Sequence, residues 1–202
     1  MVITEITGAK NHLCKICFDK SEDVFLDKET VAKNALKAGL FVDEERLEEL
    51  KYESALARAT SKAMWLLSRR EYSQKEMIFR LKRDKFDENA IFEAVKTLAD
   101  AGVIDDERFA YNYAYSLKMN RKLGYRAIVT ELIRKGVSRE MAEEYAAQFS
   151  QDDTDDAVKI IKLKYATFST DEKVKRRMIA ALQRKGYNYD AIKHAIEMFE
   201  GD

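Results

Sequence analysis

Cys14 and Cys17 form a C-x-x-C pair, with His12 close by. A zinc site needs four ligands, commonly two such pairs or a pair with two histidines. Here there is no second C-x-x-C, and His194 is the one other histidine. The pair also sits in a run with strand character, where residues three apart point to opposite faces. It reads as two packed strand cysteines, with no metal. None of G-x-x-x-x-G-K-[ST], G-x-G-x-x-G or G-x-S-x-G occurs, so the phosphate cradle, dinucleotide turn and nucleophile elbow are missing. Carboxylates are abundant but stand where helices start. Asp105-Asp106-Glu107 follows Gly102-Val103-Ile104, and helix capping accounts for it. No catalytic residue, metal ligand or cofactor is assigned, and the chain is expected not to be an enzyme.

The basic residues are the better lead. Arg69, Arg70, Lys82, Arg83, Lys85, Arg121, Lys122, Arg126, Arg134, Lys135, Lys173, Lys175, Arg176, Arg177, Arg184 and Lys185 cluster around recurring helices. Such a set can follow a phosphate backbone. It can equally meet an acidic protein groove, or merely form solvated faces that complement helix dipoles.

These side chains are positioned by a repeat. Aligning Met77, Ile128 and Met178 brings Ile78/Val129/Ile179, Leu81/Leu132/Leu182 and Phe86/Val137/Tyr187 into register. Ala90/Met141/Ala191, Ile91/Ala142/Ile192, Ala94/Tyr145/Ala195, Val95/Ala146/Ile196 and Leu98/Phe149/Phe199 follow. Every one of these positions is apolar in all three copies. Asp87, Ser138 and Asn188 share a position suited to an N-cap, and Arg83, Arg134 and Arg184 share another. The apolar spacing describes a helix, a short turn and a helix. A further helix precedes each pair, at Ala55–Ser68, Asp106–Met119 and about Thr154–Ala166. Three short helices enclose only a small core, so the units should stack on one another. In Arg-Lys-Gly, Gly136 and Gly186 supply left-handed helix ends. The first unit has Arg83-Asp84-Lys85 there, so Lys85 must adopt that conformation at a cost or turn differently. The acidic run Gln151–Asp156 reads as a linker with an acid-rich first helical turn.

The first thirty residues differ. Val2–Thr7, Leu13–Phe18 and Asp23–Asp27 are short β-branched or apolar runs between turn-forming residues, and predict a small antiparallel three-stranded sheet. A helix over Glu29–Ala38 should end at Gly39, and Asp43 should cap a second helix before the one beginning near Ala55. The expected segments are 1–29 for the sheet extension, 30–53 for linking helices, and 54–103, 104–151 and 152–202 for three three-helix repeats.

Composition agrees. The chain has 202 residues, no proline and 46% apolar residues, which excludes global disorder and argues for helix. Its 36 basic and 36 acidic groups cancel. They are unevenly spread, with net −4 over 1–57, +7 over 58–139 and −3 over 140–202. A basic middle suits an anionic partner. No apolar run is long enough for a membrane helix, and the first ten residues lack a signal-peptide core. Two cysteines without an export signal fit a reducing cytoplasm.

Three stretches resemble the signatures of the RecX family of regulatory proteins. They are Leu66-Leu67-Ser68-Arg69-Arg70-Glu71-Tyr72-Ser73-Gln74-Lys75-Glu76, Gly102–Ala110, and Gly124 through Gly136, which ends Glu131-Leu132-Ile133-Arg134-Lys135-Gly136. The resemblance spans about 54–200, and Asp84-Lys85 departs from it where the family often has Lys-Gly. It implies a mainly α fold of tandem three-helix, helix-turn-helix-like repeats in an elongated array, with a small N-terminal antiparallel β-sheet. It further implies a cytoplasmic monomer that lodges in the groove of RecA recombinase filaments on DNA. There it restrains recombination and ATPase activity within DNA repair and the SOS response, and it binds single- and double-stranded DNA weakly. The competing reading is a direct DNA binder whose helix-turn-helix-like units enter a groove. The third helices bear Glu93, Lys96, Glu143 and Glu144, and acids there oppose insertion beside phosphates.

Overall fold

A computed structural model describes residues 1–165 and 171–200. The chain divides into two compact units, Met1–Ile104 and Asp105–Asp202.

The first unit opens with β1 (Ile3–Gly8), β2 (Leu13–Phe18) and β3 (Val24–Asp27), antiparallel in the order β1-β2-β3. The β1–β2 turn holds Asn11 and His12 at φ 59° and 60°, the left-handed geometry that tight hairpins require. Three strands need a partner to be stable. Ile3, Ile16 and Leu26 supply the apolar face and pack against Val42, Leu47 and Leu50.

Two helix expectations change here. The helix expected over Glu29–Ala38 is only α1 (Lys28–Lys33). Beyond Asn34 the chain takes a left-handed step at Ala35 (φ 48°) and returns to the sheet. Gly39 N–H donates to Ile3 O, Ile3 N–H donates to Leu40 O, and Val2 bridges Phe41. Pairing with the β1 edge satisfies backbone groups that a longer helix would have satisfied internally. Gly39 therefore serves a turn rather than a helix end. The helix capped by Asp43 and the one expected from Ala55 are a single element, α2 (Glu44–Leu67). No glycine or proline falls between them, so nothing in the backbone interrupts the ladder. The expected segment boundary at 53/54 thus lies inside a helix.

The latter half of α2 packs with α3 (Gln74–Arg83) and α4 (Glu88–Asp100) around Ala63, Leu66, Met77, Leu81, Ile91, Val95 and Leu98. The second unit repeats this plan twice. α5 (Asp106–Arg121), α6 (Tyr125–Arg134) and α7 (Arg139–Ala147) enclose Ala110, Ala114, Leu117, Ile128, Leu132, Ala142 and Ala146. α8 (Asp153–Lys164), α9 (Glu172–Arg184) and α10 (Tyr189–Glu200) enclose Ala157, Ile161, Met178, Leu182, Ile192 and Ala195. The end of the helix expected at Ala166 lies outside the described residues. None of the repeat's aligned apolar positions is exposed. The three matching caps form as the sequence predicts. Asp87, Ser138 and Asn188 accept hydrogen bonds from the backbone N–H of Ala90, Met141 and Ala191 at 2.9, 3.2 and 2.7 Å. Asp105 caps α5 through Arg108 N–H at 2.9 Å.

After each second helix the chain takes a left-handed residue, Lys85 (φ 62°), Gly136 (φ 95°) or Gly186 (φ 90°). Lys85 keeps the turn despite its β-carbon. Gly186 has a second constraint. A β-carbon there would lie 2.3 Å from Ala127 N, and one on Gly124 would lie 2.7 Å from Tyr187 N. The start of α6 and the end of α9 thus meet backbone to backbone. Gly124 N–H donates to Lys185 O at 2.8 Å and Arg126 N–H to Gly186 O at 3.1 Å.

Candidate partner-binding surface

The arginine triplet lies on the last turn of α3, α6 and α9, and Arg83, Arg134 and Arg184 are all exposed. Eight residues earlier stand Lys75, Arg126 and Arg176, and between them Phe79, Thr130 and Ala180. Residues spaced by four share one helical face. Each second helix therefore carries a cation, a neutral residue and a cation along one line, about 12 Å from end to end. All of these positions are exposed. Lys75 was not among the sequence candidates. Counting along the helical face, instead of collecting runs of basic residues, would have found it.

The arginines differ in how free they are. Arg134 holds Glu131 at 2.6 Å, and this hydrogen bond, joined by one from Tyr113 at 3.3 Å, keeps the Glu131 carboxyl below the usual carboxylate range. Arg184 Nε donates to Ala180 O at 3.3 Å. Arg83 makes no ion pair within 4 Å among the described residues.

Other candidates are partly committed to the fold. Arg70 grips Glu76 with both guanidinium nitrogens at 2.8 and 3.0 Å, and lies 3.5 Å from the Tyr72 ring centre. Lys82 pairs with Glu88 at 2.9 Å. Lys135 lies 5.6 Å from the Tyr113 ring centre. Lys175 meets Glu200 at 3.6 Å, and Arg176 meets Glu172 at 3.8 Å, the latter pair highly exposed. Lys185 is the clearest structural residue. Its ammonium donates to Arg121 O at 2.8 Å and Lys122 O at 3.4 Å, satisfying carbonyls at the end of α5. Burial, with Lys164 and Arg121 nearby, lowers its pKa. Lys122 itself takes the left-handed cap of α5, at φ 50°. Arg69 lies exposed with its guanidinium 4.5 Å from the Trp65 ring centre. Lys85, Arg121, Lys122, Arg126 and Arg177 are exposed.

The acidic run supplies the acid-rich first turn of α8 as expected, but two of its carboxylates are structural. Asp153 and Asp156 are buried in the first turn of α8, facing Lys118 of α5. Lys118 Nζ lies 2.7 Å from Asp153 Oδ1 and 3.1 Å from Asp156 Oδ2. Asp153 Oδ2 also accepts from Tyr125 N–H at 3.1 Å, capping α6, whose own N-cap is the side-chain-less Gly124. Lys118 is only 1% exposed. Nothing in its local sequence marks a lysine whose partners lie about a helix pair away.

Cys14 and Cys17 are half-buried free thiols on β2. Burial and an Asp23 hydrogen bond push the Cys17 thiol up. Among the described residues no three His, Cys, Asp or Glu side chains are grouped to hold a metal ion. No described helix is long and apolar enough to cross a membrane.

Comparison with known proteins matches each repeat to a family model. Residues 59–98 match "RecX, first three-helix domain", 105–145 "RecX, second three-helix domain", and 151–196 "RecX, third three-helix domain". The chain is 30% identical over 185 residues to "Regulatory protein RecX" of Listeria monocytogenes, covering 89% of this chain and 68% of that protein. It is 29% identical over 203 residues to the protein of the same name from Bacillus subtilis, covering 98% and 77%. A crystal structure of regulatory protein RecX superposes with a TM-score of 0.74 at 18% identity, covering 100% of this chain and 99% of that one. The structure of RecX from Lactobacillus salivarius gives 0.68 at 21%, covering 73% and 98%. Three family domains in order, on a shared tandem three-helix fold, establish that this chain belongs to the RecX family of regulatory proteins.

Proposed function

We propose that this protein acts by binding, not by catalysis, and that its target is the RecA recombinase filament on DNA. Seated there it restrains strand exchange and ATP hydrolysis, and so modulates recombination and repair in the cytoplasm. The observation that carries the reading is the exposed line of two cations on each of the three second helices, from Lys75 to Arg83, Arg126 to Arg134, and Arg176 to Arg184. Capping cations at a helix end explain the arginines but not the matching cation two turns earlier, since dipole complementarity fades within a turn. A surface recurring once per repeat suits a partner that itself repeats, and several weak contacts then add through effective concentration. Weak binding to single- and double-stranded DNA follows from the same cations. Entry of the third helices into a DNA groove is disfavoured by Glu93, which is exposed and accepts a hydrogen bond from Tyr52, and by exposed Glu144.

The test is co-sedimentation with recombinase filaments assembled on single-stranded DNA, with ATP hydrolysis followed in the same samples. Co-sedimentation with reduced hydrolysis is expected. Failure to pellet with filaments that pellet alone sinks the proposal.

A further inference from the structure

A second basic surface lies on α2, apart from the second-helix lines, and aromatic rings interrupt it. Arg58, Lys62 and Trp65 follow one another at helical spacing and fall within about 60° of one another around the α2 axis, and Arg69 follows in the turn just past the end of α2. Arg58 lies 5.7 Å from the Phe86 ring centre, Lys62 lies 4.3 Å from that of Trp65, and Arg69 lies 4.5 Å from it. Trp65 is 48% exposed, although a tryptophan normally buries most of its surface. Arg58 is exposed and makes no ion pair among the described residues. Lys62 shares Asp84 with Arg80, each at 3.7 Å.

This face runs into a cleft of about 500 Å³, formed by α2, the α3–α4 turn and the β1–β2 hairpin tip. Arg58, Lys62 and Phe86 line it together with Asn11, His12, Ser61 and two carboxylates, Asp27 and Asp84. The carboxylates repel a phosphate but can accept hydrogen bonds from the amino groups of a base. Arg58 and Lys62 on the cleft wall and Arg69 beyond it can take phosphates, and the rings can take the flat faces of bases. Alternation of cations and exposed rings along a groove is the arrangement that binds single strands, because stacked bases in a duplex leave no face to offer.

We propose that this face of α2 is a track for single-stranded nucleic acid. A base stacks on Trp65, phosphates lie against Lys62, Arg69 and Arg58, and one unstacked nucleotide enters the cleft beside the N-terminal hairpin. The sheet extension thereby contributes to a binding site. The proposal goes beyond the filament reading and does not depend on it.

Trp65 is the sole tryptophan, so intrinsic fluorescence reports this one place. The full-length protein is titrated with a short oligodeoxythymidylate and with a duplex of equal length, following Trp65 emission and the anisotropy of a labelled oligonucleotide. The single strand is expected to quench Trp65 saturably and at lower concentration than the duplex. Trp65→Leu should weaken single-strand binding roughly fivefold or more. Arg58→Gln combined with Lys62→Gln should weaken it and reduce its salt dependence. Trp65→Leu should still pellet with recombinase filaments, which separates this site from the filament surface. Absence of single-strand binding overturns the proposal, as does binding that leaves Trp65 emission unchanged or survives Trp65→Leu intact. Displacement by polyglutamate as readily as by the oligonucleotide also overturns it, and assigns the face to an acidic protein.

Discussion

Lys118 Nζ lies 2.7 Å from Asp153 Oδ1, and both side chains are sealed from solvent. The pair joins the first helix of the second repeat to the first turn of the third repeat. The spare oxygen of Asp153 caps α6, and Asp156 completes the ion cluster. Removing one partner of such a cluster is worse than never having built it, because the remaining charge stays buried without compensation. Lys118→Met should therefore lower the unfolding free energy by about 3–5 kcal/mol in chemical denaturation. Asp153→Asn leaves Asp156 facing Lys118 and should cost less. Equal losses from the two variants would contradict this account.

The close approach at Gly186 gives a paired test. Gly186→Ala adds a β-carbon 2.4 Å from that of Ala127 at a residue with φ 90°, so both overlap and backbone strain oppose it. Gly102→Ala meets nothing within 4 Å and carries only the strain of φ 68°, about 1–2 kcal/mol. Thermal melts should show a distinctly larger loss for Gly186→Ala.

Lys85 occupies a left-handed turn that glycine fills in the other two repeats. Lys85→Gly relieves the β-carbon strain, about 1–2 kcal/mol, and loses part of it to the greater freedom of glycine when unfolded. A small rise in melting temperature is expected. If DNA or filament binding also drops, the Lys85 ammonium contributes to the partner surface. If binding holds, Lys85 is only a turn residue.

Tyr187 donates its hydroxyl to Lys122 O at 3.0 Å. Burial, with Asp156 and Asp153 near, raises its pKa above the ordinary phenol value. The folded protein then keeps the proton that the unfolded chain gives up above about pH 10. Stability from this source is intact below that pH and is lost as pH rises past it. Tyr187→Phe should be less stable at pH 8 by about 0.5–1.5 kcal/mol, the lost hydrogen bond. The gap should narrow near pH 11 in urea titrations, since the variant has no phenol to ionise there.

Replacing Arg83, Arg134 and Arg184 together by Gln should leave the melting temperature within a few degrees. These are exposed side chains, and solvent screens pairs such as Arg134–Glu131, so little stability rests on them. The triple variant should pellet less with recombinase filaments and inhibit ATP hydrolysis less at matched salt. Wild-type inhibition would reduce these arginines to helix-end cations.

Local chemistry determined most of the architecture. Apolar spacing, N-cap residues and left-handed turn positions act over a few residues, so the strands, the three repeats and the caps at Asp87, Ser138 and Asn188 were readable from the chain. The helices of 29–67 were not, because competition decided them. The helix expected to run to Ala38 stops at Lys33 as the chain turns back to pair Gly39 and Leu40 with the β1 edge, and an unbroken backbone ladder fused two expected helices into α2. The acidic run at Gln151–Asp156 shows the same limit. Its charges look solvated in sequence, and only packing brings Asp153 and Asp156 to Lys118, where burial makes ion pairing obligatory. The candidate surface divides likewise. Periodicity supplied the arginine triplet. Tertiary structure committed Lys185 and Arg70 to internal contacts, left Lys75 outside, and set Phe86 and the hairpin tip beside Arg58 on α2. Which face of a helix meets solvent depends on what packs against its other side, and that is a property of the assembled fold.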